Sequence, residues 1–327
     1  MRRMSRLILI VMVAVGCGQP QQETKEDAPA GPALEIVAES PRQWTGVAVT
    51  SSGRMFVNFP RWSPDVPTSV AEVLTDGTVR PYPDKAWNSW APRGDASRSF
   101  VCVQSVVADG EGSLWVLDSA NPWLQGVVPG GAKLVQIDIE TDEVVKIIPF
   151  ERDVAPPDSY LNDVRIDHEH NTAYITDSGA GSVIVVDLGS GASRRVLDEH
   201  PSTSAEDTVL VFGGREWRNP DGSAPEVHAD GIAFDSTRDL VYYQALTGRT
   251  LYRIPGASLR DVTLDGQALA NEVELVAVSG PSDGLLWDGA DGVFISAIEE
   301  DAVRRWTSEG GVETISSDPV IAWPDSF

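Results

Sequence analysis

The stretch Glu226–Tyr243, EVHADGIAFDSTRDLVYY, decides how the chain is read. Two apolar runs, Ile232–Phe234 and Leu240–Tyr243, flank a polar turn, the pattern of a β-hairpin. Its first strand opens on His228 and Asp230, two side chains that resist burial. They either serve a turn in water or are aimed at something. One copy cannot separate these possibilities, but the chain holds related copies.

The hairpin recurs as QWTGVAVTSSGRMFVNF (43–59), VQSVVADGEGSLWVLDS (103–119), LNDVRIDHEHNTAYITDS (161–178), HADGIAFDSTRDLVYYQA (228–245) and PSDGLLWDGADGVFISA (281–297). Each has a polar or glycine start, a short apolar strand, an Asp- or Gly-rich turn and a second strand. The shared starts fall near Thr45, Ser105, Asp163, Asp230 and Asp283, and WPDSF (323–327) opens a sixth at Asp325. Between the copies lie further short runs rich in Val, Ile, Tyr and Trp, such as LVQIDI, VVKIIPF, SVIVVDL and TLYRIP. A supersecondary unit of roughly 40–70 residues in serial copies is the signature of a propeller. The expectation is therefore all-β: a six-bladed β-propeller with four-stranded blades, spanning 33–327. Its last blade is incomplete in this sequence, and ALEIVAES (33–40) supplies that blade's outer strand. Only PTSVAEVL (67–74) and GQALANEVEL (266–275) are expected to hold short helical turns.

In a propeller the first strand of each blade is innermost, and its start lies beside the end of the antiparallel second strand. The starts therefore ring one channel mouth with Trp44, Gln104, Asn162, Asp163, His228, Asp230, Asp283 and Asp325. The second-strand ends add Asn58, Arg61, Asp118, Asp177, Gln244 and Ser296. The second Asp of each repeat (Asp109, Asp167, Asp235, Asp288) sits in the hairpin connection, where a short carboxylate caps a turn. His168, His170 and His200 read as loop residues. GGREWRNPDGS (213–223) lies in the longest insertion between repeats, a candidate lid.

With 25 Lys+Arg against 49 Asp+Glu in 327 residues, the net charge of −24 excludes nucleic acid and anionic membrane surfaces as partners. Residues 1–17 carry Arg2, Arg3 and Arg6, an apolar run Leu7–Val15 too short to span a bilayer, and Gly16-Cys17. They read as a bacterial lipoprotein signal ending at a lipidated Cys17. Residues 18–32 form a polar, Pro-containing tether. The expected location is the bacterial cell envelope, or secretion, with the lipid as the sole membrane contact. With Cys17 lipidated, Cys102 has no disulfide partner and reads as a buried apolar residue.

SVVADGEGSLWVLDS, LNDVRID, HADGIAFD, LTGRTLYRIP and DPVIAWPDSF together resemble the bacterial form of the major royal jelly protein/Yellow family over about residues 34–327. The resemblance implies a six-bladed propeller whose sequences continue about one hairpin pair beyond WPDSF. It also implies a spread of roles: dopachrome conversion, binding of small aromatic amines in the channel mouth, or nutrition. No catalytic set transfers with it. The expected partner is a small organic ligand, with tautomerisation as the candidate chemistry. That reaction needs a base near a labile C–H and donors for the developing oxyanion. By position, His228 is the candidate base and Asp230 its orienter. Arg61 or Gln104 would donate to oxygen, Trp44 or Tyr243 would stack on a ring, and Asn162, Asp163, Asp177, Gln244 and Asp283 would complete the site.

Two rival readings stand beside this one. A gluconolactonase/regucalcin-type lactone hydrolase would hold Ca²⁺ in the channel through Asn162, Asp163, Asp230 and Asp283. RQWTGVAV (42–49) lacks the first-blade acid that such a site uses. A tethered, non-enzymatic binding or assembly platform is the other. No cofactor is required by the main reading. The sequence has neither a GxSxG elbow nor zinc-type Cys/His spacing.

Overall fold

The computed structural model describes residues 34–327; the segments 1–17 and 18–32, with Cys17, lie outside them. Among the described residues are five antiparallel four-stranded sheets, each built in sequence order from four successive strands. The first blade holds β1 (Val47–Val49), β2 (Met55–Asn58), β3 (Val70–Val73) and β4 (Val79–Pro81). The second holds β5 (Val103–Ala108), β6 (Ser113–Asp118), β7 (Lys133–Asp138) and β8 (Glu143–Pro149). The third runs β9 (Leu161–Asp167), β10 (Thr172–Asp177), β11 (Ser182–Asp187) and β12 (Ser193–Val196). An insertion follows with a small hairpin, β13 (Val211–Phe212) and β14 (Arg215–Glu216). The fourth blade comprises β15 (Ala229–Asp235), β16 (Leu240–Ala245), β17 (Thr250–Pro255) and β18 (Glu274–Val278), with helices α1 (Gly256–Arg260) and α2 (Gly266–Ala270) between its last two strands. The fifth has β19 (Ser282–Trp287), β20 (Gly292–Ala297), β21 (Ala302–Thr307) and β22 (Gly311–Ser317).

The blades face one another in chain order, and the seams between them are the core. Phe56, Val70 and Tyr82 of the first blade meet Val106, Leu114 and Val116 of the second. Leu117 and Leu134 meet Leu161 and Ile184 across the next seam. Tyr174 and Val183 meet Ile232, Val241 and Ile254, and Tyr242 and Leu251 meet Leu285, Val293 and Trp306. A strand buried on both faces needs apolar side chains in near-continuous runs, which is why SVIVVDL and SLWVLD do not alternate. Each such side chain contributes about 1.5–3 kcal/mol by leaving water.

The architecture is the expected all-β propeller, but the described residues form five complete blades, not six. Residues 34–46, including the part of ALEIVAES that is described, form no strand, and neither do Asp325–Phe327. A strand exists only with a neighbour to bond its backbone, and of these residues only Thr45 and Gly46 bond one, at Asn58 of β2. PTSVAEVL is also not helical: Val70–Val73 is β3, bonded on both sides. GQALANEVEL does hold a helical turn, α2, capped by the Asp265 carboxylate on Ala268 N–H.

The turn aspartates behave as their positions suggest. Asp109 accepts from Glu111 and Ser113 N–H, and Asp167 from His170 N–H. Asp235 accepts from Thr237 and Arg238 N–H, and Asp288 from Ala290, Asp291 and Gly292 N–H. Cys102 is fully buried and free, and burial pushes its thiol up to about 11.

Candidate functional site

In blades two to five the ladder between the first and second strands slips by one residue near the start of the first strand. In the third blade Leu161 pairs with Asp177 and Val164 with Ile175, so Asn162 and Asp163 together face Thr176. In the fourth, Asp230 and Gly231 face Gln244, and in the fifth Asp283 and Gly284 face Ser296. Such a bulge re-aims a side chain. Gln104, Asn162, Asp230 and Asp283 all line one cavity of about 920 Å³, together with Asp325. Of the polar start of the Glu226–Tyr243 hairpin, Asp230 is thus aimed into the cavity rather than solvated.

The bulge also corrects the alignment of the repeats. Level with Asp230 and Asp283 stands Asn162, not Asp163. Asp163 takes the next place, held by Gly231 and Gly284 in the other blades. Its Oδ1 accepts from Ser105 Oγ at 2.8 Å and from Arg165 Nη1 at 2.8 Å, and it does not line the cavity. The glycines at that place are required by close approach: a Cβ on Gly231 would lie 2.7 Å from the Asp283 carbonyl oxygen and 3.0 Å from Leu285.

Asp230 is 2% exposed and accepts from Asn162 Nδ2 at 2.8 Å. Asn162 Nδ2 also donates to Ser178 Oγ. Asp283 is 8% exposed and accepts from Trp323 Nε1 at 2.6 Å. Burial, reinforced by Asp283, Asp325 and Asp163, holds the Asp230 carboxyl well above the usual carboxylate range. Burial lifts Asp283 to about 6, against hydrogen bonds from Trp323 and Asp230 that favour its charged form. Asp325, half-buried, is also raised, by burial and by Asp283. Asp283 is therefore largely ionised near neutral pH, while Asp230 holds its proton more tightly than an ordinary carboxyl does, a donor and an acceptor in one cavity.

The walls are aromatic: Trp44, Trp62, Tyr160, Trp217 and Trp323. Trp44 stands 6.0 Å from Phe59, centroid to centroid. Trp62 Nε1 donates to Tyr160 Oη at 2.6 Å, and that hydroxyl donates to Gln104 Oε1 at 2.8 Å. The relay fixes the Gln104 amide, whose Nε2 finds no partner among the described residues and is available to a ligand.

The remaining sequence candidates are placed elsewhere. His228 does not line the cavity; its Nδ1 accepts from Ala205 N–H at 2.9 Å, which uses the lone pair a base would need and leaves the neutral ring's proton on Nε2. Arg61 is buried and donates to the carbonyls of Val101 and Val66, over the Trp90 ring. Asp177 accepts from Tyr160, Gly179 and Ala180 N–H, Ser159 Oγ and Arg195 Nη1, a complete set. Tyr243 is in the seam between the third and fourth blades, bonded to Ser202 Oγ. Gln244 spans Ser279 Oγ and the Gly280 carbonyl. Each of these five has at least one polar atom already engaged by the fold.

Tyr160, Trp62, Trp217 and Trp323 were missed as site residues. Tyr160 stands two before Asn162 and Trp323 two before Asp325, as His228 stands two before Asp230, so the spacing held a signal for both; Trp62 and Trp217 lie in loops with no repeat register. A separate group, Asp167, His170 and Asp239, brings ligand atoms within 4.8 Å of one another. The Arg260 guanidinium already occupies it, bonding Asp167 at 3.0 Å and Asp239 at 2.7 Å.

A family model described as Major royal jelly protein matches residues 101–324. Protein yellow of Drosophila guanche is 24% identical over 237 residues, 67% of this chain and 38% of that protein. Dopaminechrome tautomerase of Drosophila melanogaster is 23% identical over 237 residues, 68% of this chain and 47% of that protein. The chain thus spans less than half the length of these curated relatives. Among solved structures, a catalytically inactive virginiamycin B lyase from Staphylococcus aureus with quinupristin aligns with a TM-score of 0.50 at 14% identity, over 86% of this chain and 73% of that one. At that identity the likeness concerns the propeller fold alone.

Proposed function

The chain belongs to the major royal jelly protein family, and on that premise we propose that it binds a small catechol-derived ligand in the central cavity and tautomerises it. The observation that carries this reading is the Asp230–Asp283 pair, two buried carboxyls lining one aromatic-walled cavity, one held by Asn162 and the other by Trp323. A relative that bears the name dopaminechrome tautomerase supports the same chemistry. In this scheme a ring stacks on Trp44 or Trp62. The Asp283 carboxylate takes the proton from the labile carbon, and the Asp230 acid gives one to the carbonyl oxygen. The C–H bond breaks, an O–H bond forms, and no redox partner is consumed. The free Gln104 N–H faces the developing oxyanion. Proton return from Asp283 to Asp230 resets the pair.

The ring itself is read here as six-fold. Gly231 abuts the Asp283 backbone of the next repeat, and Gly284 abuts the Asp325 backbone in the same manner. Asp325–Phe327 thus stand where a sixth inner strand starts.

The calcium-dependent lactonase has weaker support. Its four candidate ligands include Asp163, which is engaged by Arg165, and the cavity acids are not the group whose ligand atoms gather within 4.8 Å.

The test is turnover of dopaminechrome by the protein lacking residues 1–17. Asp230→Asn and Asp283→Asn are each expected to lower kcat by about 10²–10⁴-fold, the usual contribution of a positioned acid or base. Wild-type protein that leaves dopaminechrome unchanged, or two variants with full activity, would sink the reading.

A further inference from the structure

Trp323 has an unusual combination of features. Its backbone φ is +51°, a region that bulky residues avoid and occupy only when their surroundings force it. The residue is 39% exposed and lines the cavity edge. Its Nε1 nevertheless donates to Asp283 Oδ2 at 2.6 Å. Phe212, on β13, stacks on it at 4.5 Å with 28° between planes, and Trp217, just after β14, meets it edge-on at 5.4 Å and 85°. The hairpin that carries this aromatic brace is fastened in turn. Val211 N–H donates to Glu299 Oε1 at 2.7 Å, and Arg249 pairs with the same carboxylate at 2.8 Å. Phe212 and Trp217 also pack on a small cluster of Leu210, Leu246 and Ile298.

We propose that Trp323 is a positioning residue for Asp283, and that the insertion hairpin β13–β14 is the strap that holds it in place. The proposal rests on the reading of the cavity as the reactive site and adds what makes its two acids unequal. A donor aimed at a carboxylate favours the charged form. Trp323 therefore keeps Asp283 the proton acceptor and leaves Asp230 the donor. The strap explains how a strained backbone persists, since Phe212 and Trp217, themselves in contact, both pack against the indole. It also ties the longest insertion between the blades to the chemistry: displacing the hairpin releases Trp323, and with it the acceptor. The other charged groups around Asp283 are Asp230 on β15, Asp325 in its own repeat, and Asp163 with its partner Arg165 on β9. None of them donates an N–H to Asp283 in the structure.

Two variants test this, each checked for folding by its thermal melt. Trp323→Phe removes the donor and keeps an aromatic ring; Phe212→Leu keeps the donor and loosens the strap. The titration of the Asp283 carboxyl is followed by ¹³C NMR of aspartate-labelled protein, with Asp283→Asn assigning the signal. Trp323→Phe is expected to raise the midpoint by about one pH unit, a tenfold change in proton affinity, the scale of one hydrogen bond to a charged group. Phe212→Leu moves it the same way by less. With dopaminechrome as probe, the acid limb of kcat/KM moves up in parallel. Two folded variants that titrate like wild type overturn the proposal, and if Trp323→Phe fails to fold, an unshifted Phe212→Leu does so alone. A wild type inert towards dopaminechrome but with the shifted titration in the variants overturns the proposed function and leaves the positioning role standing.

Discussion

Asp283 shows how a single residue can be both a liability and a tool. Its rise from an ordinary 3.8 to about 6 means that the folded protein binds a proton there more tightly than the unfolded chain does. Stability from this group is therefore present in full below pH 4 and declines as the pH climbs through 6, because the unfolded state then releases the proton more readily. The span corresponds to about 3 kcal/mol at neutral pH and above. Asparagine at this position keeps an acceptor for Trp323 and a donor towards Asp230 without the charge. Asp283→Asn is expected to be more stable than wild type by about 1–3 kcal/mol at pH 8 and to converge with it below pH 4. Urea denaturation at several pH values reads this directly; a variant less stable at pH 8 would contradict it. At this scale the sequence was half legible. Repeat spacing found Gln104, Asn162, Asp230 and Asp283, since each opens a recurring strand. It equally suggested His228, Asp177 and Gln244, because polarity at a channel mouth does not distinguish a free side chain from one the backbone already holds.

At the scale of the element, the bulge does the aiming. One extra residue in a strand start flips which of two neighbours faces the axis. The sequence shows Asn162-Asp163, Asp230-Gly231 and Asp283-Gly284 as pairs, and matching Asp to Asp is natural on chemistry alone. The glycines break the tie: in the fourth and fifth blades the place after the cavity-facing acid abuts the backbone of the next repeat, where a side chain would clash. Gly231→Ala is expected to destabilise the protein by about 1–3 kcal/mol, the cost of forcing a methyl into a closed seam. Gly266→Ala, where nothing lies within 4 Å of the added Cβ, serves as the control. Equal melting temperatures for the two variants would argue against the bulge as a packing constraint. β3 illustrates a different blindness. Its four residues, Val70–Val73, lie in a stretch whose spacing also suits a helical turn, and only the pairing with β2 and β4 decides the matter.

For the whole molecule, the propeller was legible because its core lies in the seams. Every blade must present apolar side chains on both faces, so the apolar runs recur with the blade. The number of blades was less legible, since a repeat start such as WPDSF announces a strand without the partners that make one. The ring gathers one side chain from each repeat into a single cavity, so that no local motif describes the site. Arg61 and Tyr243 lie within a few residues of the mouth in sequence, yet point into the fold.

The measurement that tests this convergence most directly is a calorimetric titration of the protein lacking residues 1–17 with dopamine, at pH 7. Wild type is expected to bind at one saturable site, with affinity weakened at least about tenfold in Asp283→Asn, the loss of one charge-assisted contact. His228→Ala, outside the cavity, is expected to bind as wild type does. If His228→Ala abolished binding while Asp283→Asn retained it, the site would lie elsewhere than where the repeats converge.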